Sequence, residues 1–266
     1  MTKKGNTVRR RRGRLDSRLT KVDEYTREMA TARKIQQYLL PDVPPGLRGV
    51  RMACCSIPAH LVGGDYYDFF RWDDSSLDLV IADVSGHNLG AALIMVETRS
   101  VLRAHAFRSG SAGDALAVVN ELLHDDLTRT ELIISMFYAK LSAETRVLTY
   151  ANGGHNPPLL LRCGQEGYIG LDAEGMVLGV LKGVSYEEKN ILLKEGDVLT
   201  FYTDGITESQ NDSGEMFGVD RLYQAVYAYR GAPPDDIIEG VLRRVHEFSG
   251  RRALQDDVSL VIVKID

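Results

Sequence analysis

Cysteine is scarce in this chain and badly placed for cross-linking. The 266 residues hold three, with Cys54 beside Cys55 and Cys163 alone. That gives neither a paired disulfide framework nor the spacing of a zinc site, and the three read as buried or idle thiols. Long apolar runs are missing too. The longest, Leu132 to Leu141 and Val198 to Tyr202, fall far short of the roughly 18 residues that a membrane-spanning helix needs. No apolar stretch of about 7 to 15 residues follows the basic N-terminus, so the secretory signal pattern is absent and a cytoplasmic location is expected. No glycine-rich nucleotide loop follows a strand-like run, and no internal repeat is visible. What remains is an ordinary globular composition, 44% hydrophobic and 26% charged, with room for one large domain or two small ones.

The net charge of −5 conceals an asymmetry. Residues 1 to 34 carry 12 basic and 4 acidic side chains, leaving 20 basic against 33 acidic in the remainder. An acidic body of this kind is a poor nucleic-acid binder and a reasonable host for divalent cations. Residues 1 to 14, with Arg9 to Arg12 and Arg14, read as a basic disordered tail, either solvated or in contact with nucleic acid or an anionic membrane. Residues 15 to 41 read as an amphipathic helical segment. Leu15, Leu19, Val22, Tyr25, Met29, Ala32 and Leu39 recur at helical spacing, and Pro41, Pro44 and Pro45 end the run. Such a helix either packs on its own domain or pairs with a second copy as a short coiled coil.

Residues 42 to 266 alternate strands and helices. Strands are expected at 50–57, 66–72 and 77–83, the last two as an antiparallel hairpin across Asp73-Asp74-Ser75-Ser76. Helices follow at 89–107, with Leu93, Val96, Ser100 and Ala104 along one face, and at about 112–127, carrying Leu116, Val119, Asn120 and Leu123. Strands return at 133–141, 146–151 and 158–162, then 186–193 and 197–203. Helices at 218–230 and 234–248 precede a closing strand at 258–265. This order describes an α+β layered fold with antiparallel pairing. The loop Asn152-Gly153-Gly154-His155-Asn156-Pro157 is either a cradle for a ligand or a tight turn with an incidental histidine.

Four aspartates stand beside strand ends or glycine turns: Asp65, Asp83, Asp204 and Asp256. The buried run 77–82 delivers Asp83 at its end, where an unpaired charge is costly, and this predicts a positive partner. Any one of the four reads as a turn residue. Their repetition points elsewhere, because carboxylates gathered at one edge of a sandwich repel unless protonated or bound to cations. Oxygen ligands without cysteine or several histidines suit Mg²⁺ or Mn²⁺. Two such ions about 3.5 to 4 Å apart can hold a water, lower its pKa and align it with phosphorus, which describes a hydrolase.

The ordered set of motifs then meets a known family. Ala32-x-x-Ile35-Gln36-x-x-Leu39-Leu40-Pro41, Pro58-Ala59, Val62-Gly63-Gly64-Asp65-Tyr66-Tyr67-Asp68, Ala82-Asp83-Val84-Ser85-Gly86-His87, Asn152 to Pro158, Tyr202 to Glu208, Phe217-Gly218 and Asp256-Asp257-Val258-Ser259 resemble the bacterial SpoIIE/RsbU-like branch of the metal-dependent PPM protein phosphatases. The resemblance runs from about residue 30 to the C-terminus. It implies a PPM-type sandwich of two antiparallel β-sheets flanked by helices, preceded by an N-terminal helix, with two Mn²⁺ or Mg²⁺ ions that hydrolyse phosphoserine or phosphothreonine through a metal-bound water. It assigns Asp83 as the bridge, Val84 through its backbone carbonyl, and Asp65, Asp204 and Asp256 as further ligands. Asp68, Gly205 and Asp257 would stand behind them as supports. The implied substrate is a phosphorylated anti-sigma-factor antagonist of a partner-switching pathway. An upstream regulator would act on the N-terminal helix; the helical periodicity, apart from the resemblance, leaves open either packing on its own domain or a homodimer through residues 15 to 40.

The chain departs from the family's pattern at two positions. Asn88 stands where glycine is usual, and because asparagine tolerates left-handed backbone the turn there is expected to survive. Gly153 stands where alanine is common, a change expected to add flexibility and remove little. His87 reads either as a general acid for the leaving serine oxygen or as a structural residue at the helix start. A phosphatase-like partner-binding regulator with little turnover is the alternative to the enzyme; it would show a missing ligand, and all four aspartates are present. Nucleic acid is not the expected partner of the body. Gly-Gly-Asp-Tyr-Tyr also looks like a diguanylate cyclase turn, but that reading has no use for Asp204 or Asp256.

Overall fold

The apolar run that ends at Asp83 is buried on both faces, and this sets the architecture. In the computed structural model, which describes residues 24–105, 110–250 and 254–266, the run belongs to strand β3 (Ser76–Val84). Side chains of a strand alternate between faces. Leu77, Leu79 and Ile81 enter one apolar cluster, and Val80, Ala82 and Val84 enter another. The first cluster lies between two sheets and the second beneath a helical layer, so a strand buried on both faces reads as one unbroken apolar run.

The chain divides at Leu39–Leu40 into two compact units. In the first, residues 24–39 form helix α1. The expected helix began at residue 15, and residues 15–23, like the arginine-rich tail at 1–14, lie outside the described residues. The second unit holds β1 (Val50–Ile57), β2 (Tyr66–Arg71), β3, α2 (Leu89–His105), α3 (Ala112–Thr130), β4 (Ile134–Ser142), β5 (Val147–Gly153) and β6 (Leu159–Leu161). It continues through β7 (Ile169–Gly170), β8 (Glu188–Leu192), β9 (Val198–Tyr202), α4 (Asp204–Thr207), α5 (Gly218–Tyr229), α6 (Pro234–Phe248) and β10 (Val258–Ile265).

One sheet has the order β2-β3-β4-β5-β8 and the other β1-β10-β9-β6-β7, with the pairs between neighbours antiparallel. Their inner faces share Leu79, Ile81, Phe137, Phe201 and Val261, and the rings of Phe137 and Phe201 meet edge-on at 5.8 Å. Helices α2 and α3 cover the first sheet, and α5 and α6 the second. The expected α+β sandwich and the 66–72/77–83 hairpin are therefore found, with Tyr66 opposite Ala82 and Phe69 opposite Leu79. Among the described residues no helix is long and apolar enough to cross a membrane.

Helix α2 corrects one expectation. Its buried stripe is Ala91, Met95, Thr98 and Leu102, while Leu93 is 63% exposed. The small Ala91 has to face inward because the helix start lies against Gly64, where a β-carbon would sit 3.3 Å from the Ala91 methyl. The expected stripe of α3 is observed, with Leu116, Val119, Asn120 and Leu123 all buried. Its N-cap Ser111 accepts a bond from the Asp114 amide.

Candidate metal centre

Each sheet brings two of the four aspartates to the same edge of the sandwich. Asp65 immediately precedes β2 and Asp83 is the penultimate residue of β3; because Tyr66 pairs with Ala82, the two carboxylates are neighbours across the hairpin. On the other sheet, Asp204 opens α4 two residues after β9 ends at Tyr202, and Asp256 lies two residues before β10 begins. Leu260 pairs with Tyr202, and the Thr203 amide donates to the Ser259 carbonyl at 3.1 Å, which continues the ladder to the edge where Asp204 and Asp256 meet.

The electrostatics record this gathering. Burial and then the charge of Asp83 hold the buried Asp65 carboxyl well above its usual range, against the opposing hydrogen bond from Thr203. Asp83 is pushed up to about 7, first by burial and then by Asp204, Asp256, Asp257 and Glu208. Asp204 is pushed up to about 6 by burial, Glu208 and Asp256. Elsewhere the fold answers its buried carboxylates with cations: Asp68 with Arg103, Asp78 with Lys140 and Asp197 with Arg162. Among the described residues no lysine or arginine forms an ion pair with Asp65, Asp83 or Asp204. The positive partner expected at Asp83 is not a side chain of this kind.

Glycines let the backbone close in around these groups. A β-carbon on Gly64 would stand 2.5 Å from the Val84 carbonyl oxygen and 3.0 Å from that of Gly86, and one on Gly63 would overlap the Asp257 carboxylate. A β-carbon on Gly205 would overlap the Asp257 carbonyl oxygen. Close approach, not a left-handed backbone, is what these three positions require. The Asp257 carboxylate accepts from the amides of Ala59 at 2.8 Å and Gly64 at 2.7 Å, so it clamps the loop that delivers Asp65. Burial raises its pKa, and those two amides oppose the rise. Thr203 Oγ1 donates to Asp65 Oδ2 at 2.7 Å and accepts from the Ser259 amide at 2.8 Å, joining the two sheets.

Asp68 is not brought to this edge. It is fully buried on the helical side of β2, where it accepts from Arg103 at 2.8 and 2.7 Å, from the Tyr66 hydroxyl at 2.7 Å and from the Phe69 amide at 2.8 Å. His87 is exposed, with its ring 4.7 Å from that of His60. The helix start is supplied by Asn88, whose Oδ1 accepts from the Ala91 amide at 3.1 Å. The left-handed residue of the turn is Gly86, at φ 89°. Asn88 thus replaces glycine as a cap, not as a left-handed residue, which corrects the reason expected for its survival. Gly153 also has little room, since a β-carbon would lie 2.8 Å from Leu178 Cδ1 and 3.2 Å from the Met136 carbonyl oxygen.

Thr203, Glu208, His60 and Ser135 join the site without standing among the residues expected there. The first two lie inside the quoted Tyr202 to Glu208 motif, so a threonine hydroxyl and a further carboxylate beside Asp204 were open to notice. His60 and Ser135 carried no local signal. The buried His155 bonds Ser135 Oγ through Nδ1 at 2.7 Å and the Tyr202 carbonyl through Nε2 at 3.2 Å. Burial brings its pKa down to about 4, which makes it a neutral structural link.

The donor set is all oxygen, three of its carboxylates lack a basic partner among the described residues, and Gly64 admits the Val84 carbonyl, so a hard divalent cation fits the chemistry. Among the described residues no three acidic, histidine or cysteine side chains are drawn together as a ready coordination group. The carboxylates stand as repelling neighbours, not as a closed shell.

A family model described as Stage II sporulation protein E (SpoIIE) matches residues 73–266. The chain is 26% identical over 244 residues to the phosphoserine phosphatase RsbU of Bacillus subtilis, covering 91% of this chain and 71% of that protein. Its fold superposes with TM-score 0.82 on the SiaA PP2C domain of Pseudomonas aeruginosa, at 19% identity and with 92% and 98% of the two chains covered. It also superposes, with TM-score 0.61 and 14% identity, on RsbX in complex with magnesium, covering 84% and 98%.

Proposed function

The chain belongs to the SpoIIE family of PPM-type protein phosphatases, and from that premise we propose that it removes phosphate from serine or threonine of a regulatory protein, using two Mn²⁺ or Mg²⁺ ions. The observation that carries the metal reading is a contrast within one fold. Asp68, Asp78 and Asp197 are each matched by a basic side chain, whereas Asp65, Asp83 and Asp204 are matched by further carboxylates. We assign Asp65, Asp83, Asp204, Asp256 and the Val84 carbonyl as the holders of the ions. When bound, such ions polarise a phosphoryl oxygen and neutralise the charge that develops on it.

The remaining roles fall to the chain itself. Thr203 orients Asp65, and Asp257 fixes the 59–64 loop through two amides. Gly205 lets α4 start against the Asp257 backbone. With the helix capped by Asn88, the exposed His87 imidazole is the group we assign to give a proton to the leaving serine oxygen. The substrate class we propose is a phosphorylated anti-sigma-factor antagonist. Its regulator would act through residues 15–41 and a second copy would pair through residues 15–40, in the cytoplasm. A binding protein with little turnover remains the alternative reading, and the presence of all four aspartates favours the enzyme.

Hydrolysis of an aryl phosphate by the full chain, with and without Mn²⁺, tests this. Chelation should abolish turnover, and Asp204→Asn should lower it by about two orders of magnitude or more. Full activity in both the chelated protein and the variant would overturn the two-ion reading.

A further inference from the structure

The candidate centre straddles two sheets, so its geometry depends on what holds the sheets in register at that edge. Asp65 and Asp83 ride on one sheet, Asp204 and Asp256 on the other. Thr203 and Asp257 tie the Asp65 side across the gap. A different link serves the pair Asp83 and Asp204. It lies in the loop from β5 to β6, where the chain passes from the first sheet to the second.

His155 in that loop touches both sheets. Its Nε2 lies 3.2 Å from the Tyr202 carbonyl oxygen, on β9. A carbonyl can only accept, so Nε2 carries the proton. Nδ1 is then bare, and it accepts from the Ser135 hydroxyl at 2.7 Å. Ser135 is on β4, directly opposite Asp83 in the antiparallel register, and Tyr202 stands two residues before Asp204. The main chain of His155 is itself fixed. Its amide donates to Asn152 Oδ1 at 2.7 Å, and Asn152 Nδ2 donates to its carbonyl at 2.9 Å. The preceding Gly154 takes φ 72° and would overlap Val177 with any β-carbon, so the loop has little freedom to move the ring. The imidazole is 5% exposed and both of its nitrogens are engaged.

We propose that His155 is a positioning residue, which as the Nε2–H tautomer ties Ser135 to Tyr202 across the sheets and thereby sets the spacing of Asp83 from Asp204. The inference rests on the reading that these carboxylates hold divalent cations. It explains why a buried histidine occupies a glycine-rich turn at all: a residue with one acceptor and one donor on a rigid ring spans a hydroxyl and a carbonyl at a fixed separation. Groups that orient ligands from behind in this way typically change metal affinity or activity by about 10- to 100-fold when removed.

The test is Mn²⁺ binding to the full chain, by calorimetry and by the electron paramagnetic resonance spectrum of the bound ion, with thermal melting beside it. His155→Ala should weaken Mn²⁺ binding by about tenfold or more and broaden the spectrum. Ser135→Ala should act in the same direction more weakly. His155→Gln, which keeps a donor and an acceptor, should recover part of the affinity. Arg103→Met, remote from the edge, should lower the melting temperature without moving Mn²⁺ affinity, separating positioning from general loss of stability. Should His155→Ala fail to fold, Ser135→Ala and His155→Gln carry the test. Wild-type Mn²⁺ affinity in the folded variants would overturn the inference and leave the phosphatase reading standing. A wild-type chain that binds no Mn²⁺ would bring down both.

Discussion

Asp68 carries its charge in the apolar layer between the first sheet and its helices, and Arg103 makes that position tenable. The guanidinium donates twice to the carboxylate, and Tyr66 and Phe69 supply the remaining bonds. Removing one member of a buried pair leaves an uncompensated charge and commonly costs about 3–5 kcal/mol. Arg103 is 43% exposed, so water screens the pair from one side and the expected cost is smaller. Arg103→Met should lower the free energy of unfolding in urea by about 2–3 kcal/mol, and adding Asp68→Asn should return part of it. An unchanged urea midpoint would show that the pair contributes nothing. The sequence already held the reason why Asp68 does not join the centre. In a strand beginning at Tyr66, residues 66, 68 and 70 face one way and 67 and 69 the other, so Asp65 and Asp68 fall on opposite faces. Motif proximity suggested a support for the metals, and strand alternation forbids it.

Helix α2 shows what is legible in an element and what is not. Asn88 caps it through Oδ1 to the Ala91 amide, and its carbonyl accepts from Ala92 at 3.1 Å. Asn88→Ala should destabilise the protein by about 1 kcal/mol and Asn88→Gly by only a few tenths, as measured by thermal or urea unfolding. Equal losses in the two variants would mean that the side-chain cap does not matter. The existence of α2 followed from its composition, and strands 50–57 and 258–265 and helix 234–248 were read to the residue. Which face of α2 is buried could not be read so directly, because alanines and Thr98 face the sheet while Leu93 faces water. Burial there is decided by the space beside Gly64, a contact that no local pattern encodes. The segment 164–185, between the strands expected at 158–162 and 186–193, carries no repeating pattern for a related reason. It is pinned by the two-residue β7 and by reciprocal bonds between Ile134 and Leu178, at 3.2 and 2.8 Å, and such isolated bridges leave no periodicity behind.

Across the whole molecule, the two sheets meet at an edge whose charge the described residues do not balance, and this ties stability to pH and, on the proposed reading, to divalent cations. Asp83 at about 7 and Asp204 at about 6 lie above the value of about 3.9 expected in the unfolded chain. The folded protein without cations therefore binds protons more tightly than the unfolded chain. Its contribution from these groups is fully present only below the unfolded value of about 3.9 and is lost as pH rises from there through 6 and 7. His155 works in the opposite sense. With its pKa down at about 4, it contributes stability above the unfolded value near 6.5 that is lost as pH falls toward 4. Divalent cations compete with protons for the same carboxylates, so on the proposed reading their stabilisation is greatest where the carboxylates would otherwise repel. The rise in melting temperature produced by saturating Mn²⁺ should be largest near pH 8 and shrink by roughly 5 °C or more by about pH 5.5. Melting curves with Mn²⁺ and with chelator at each pH measure this difference directly, and they cancel the His155 contribution, which both states share. A rise that is the same at both pH values would place the ions elsewhere than on Asp83 and Asp204, whatever the phosphatase assay had shown.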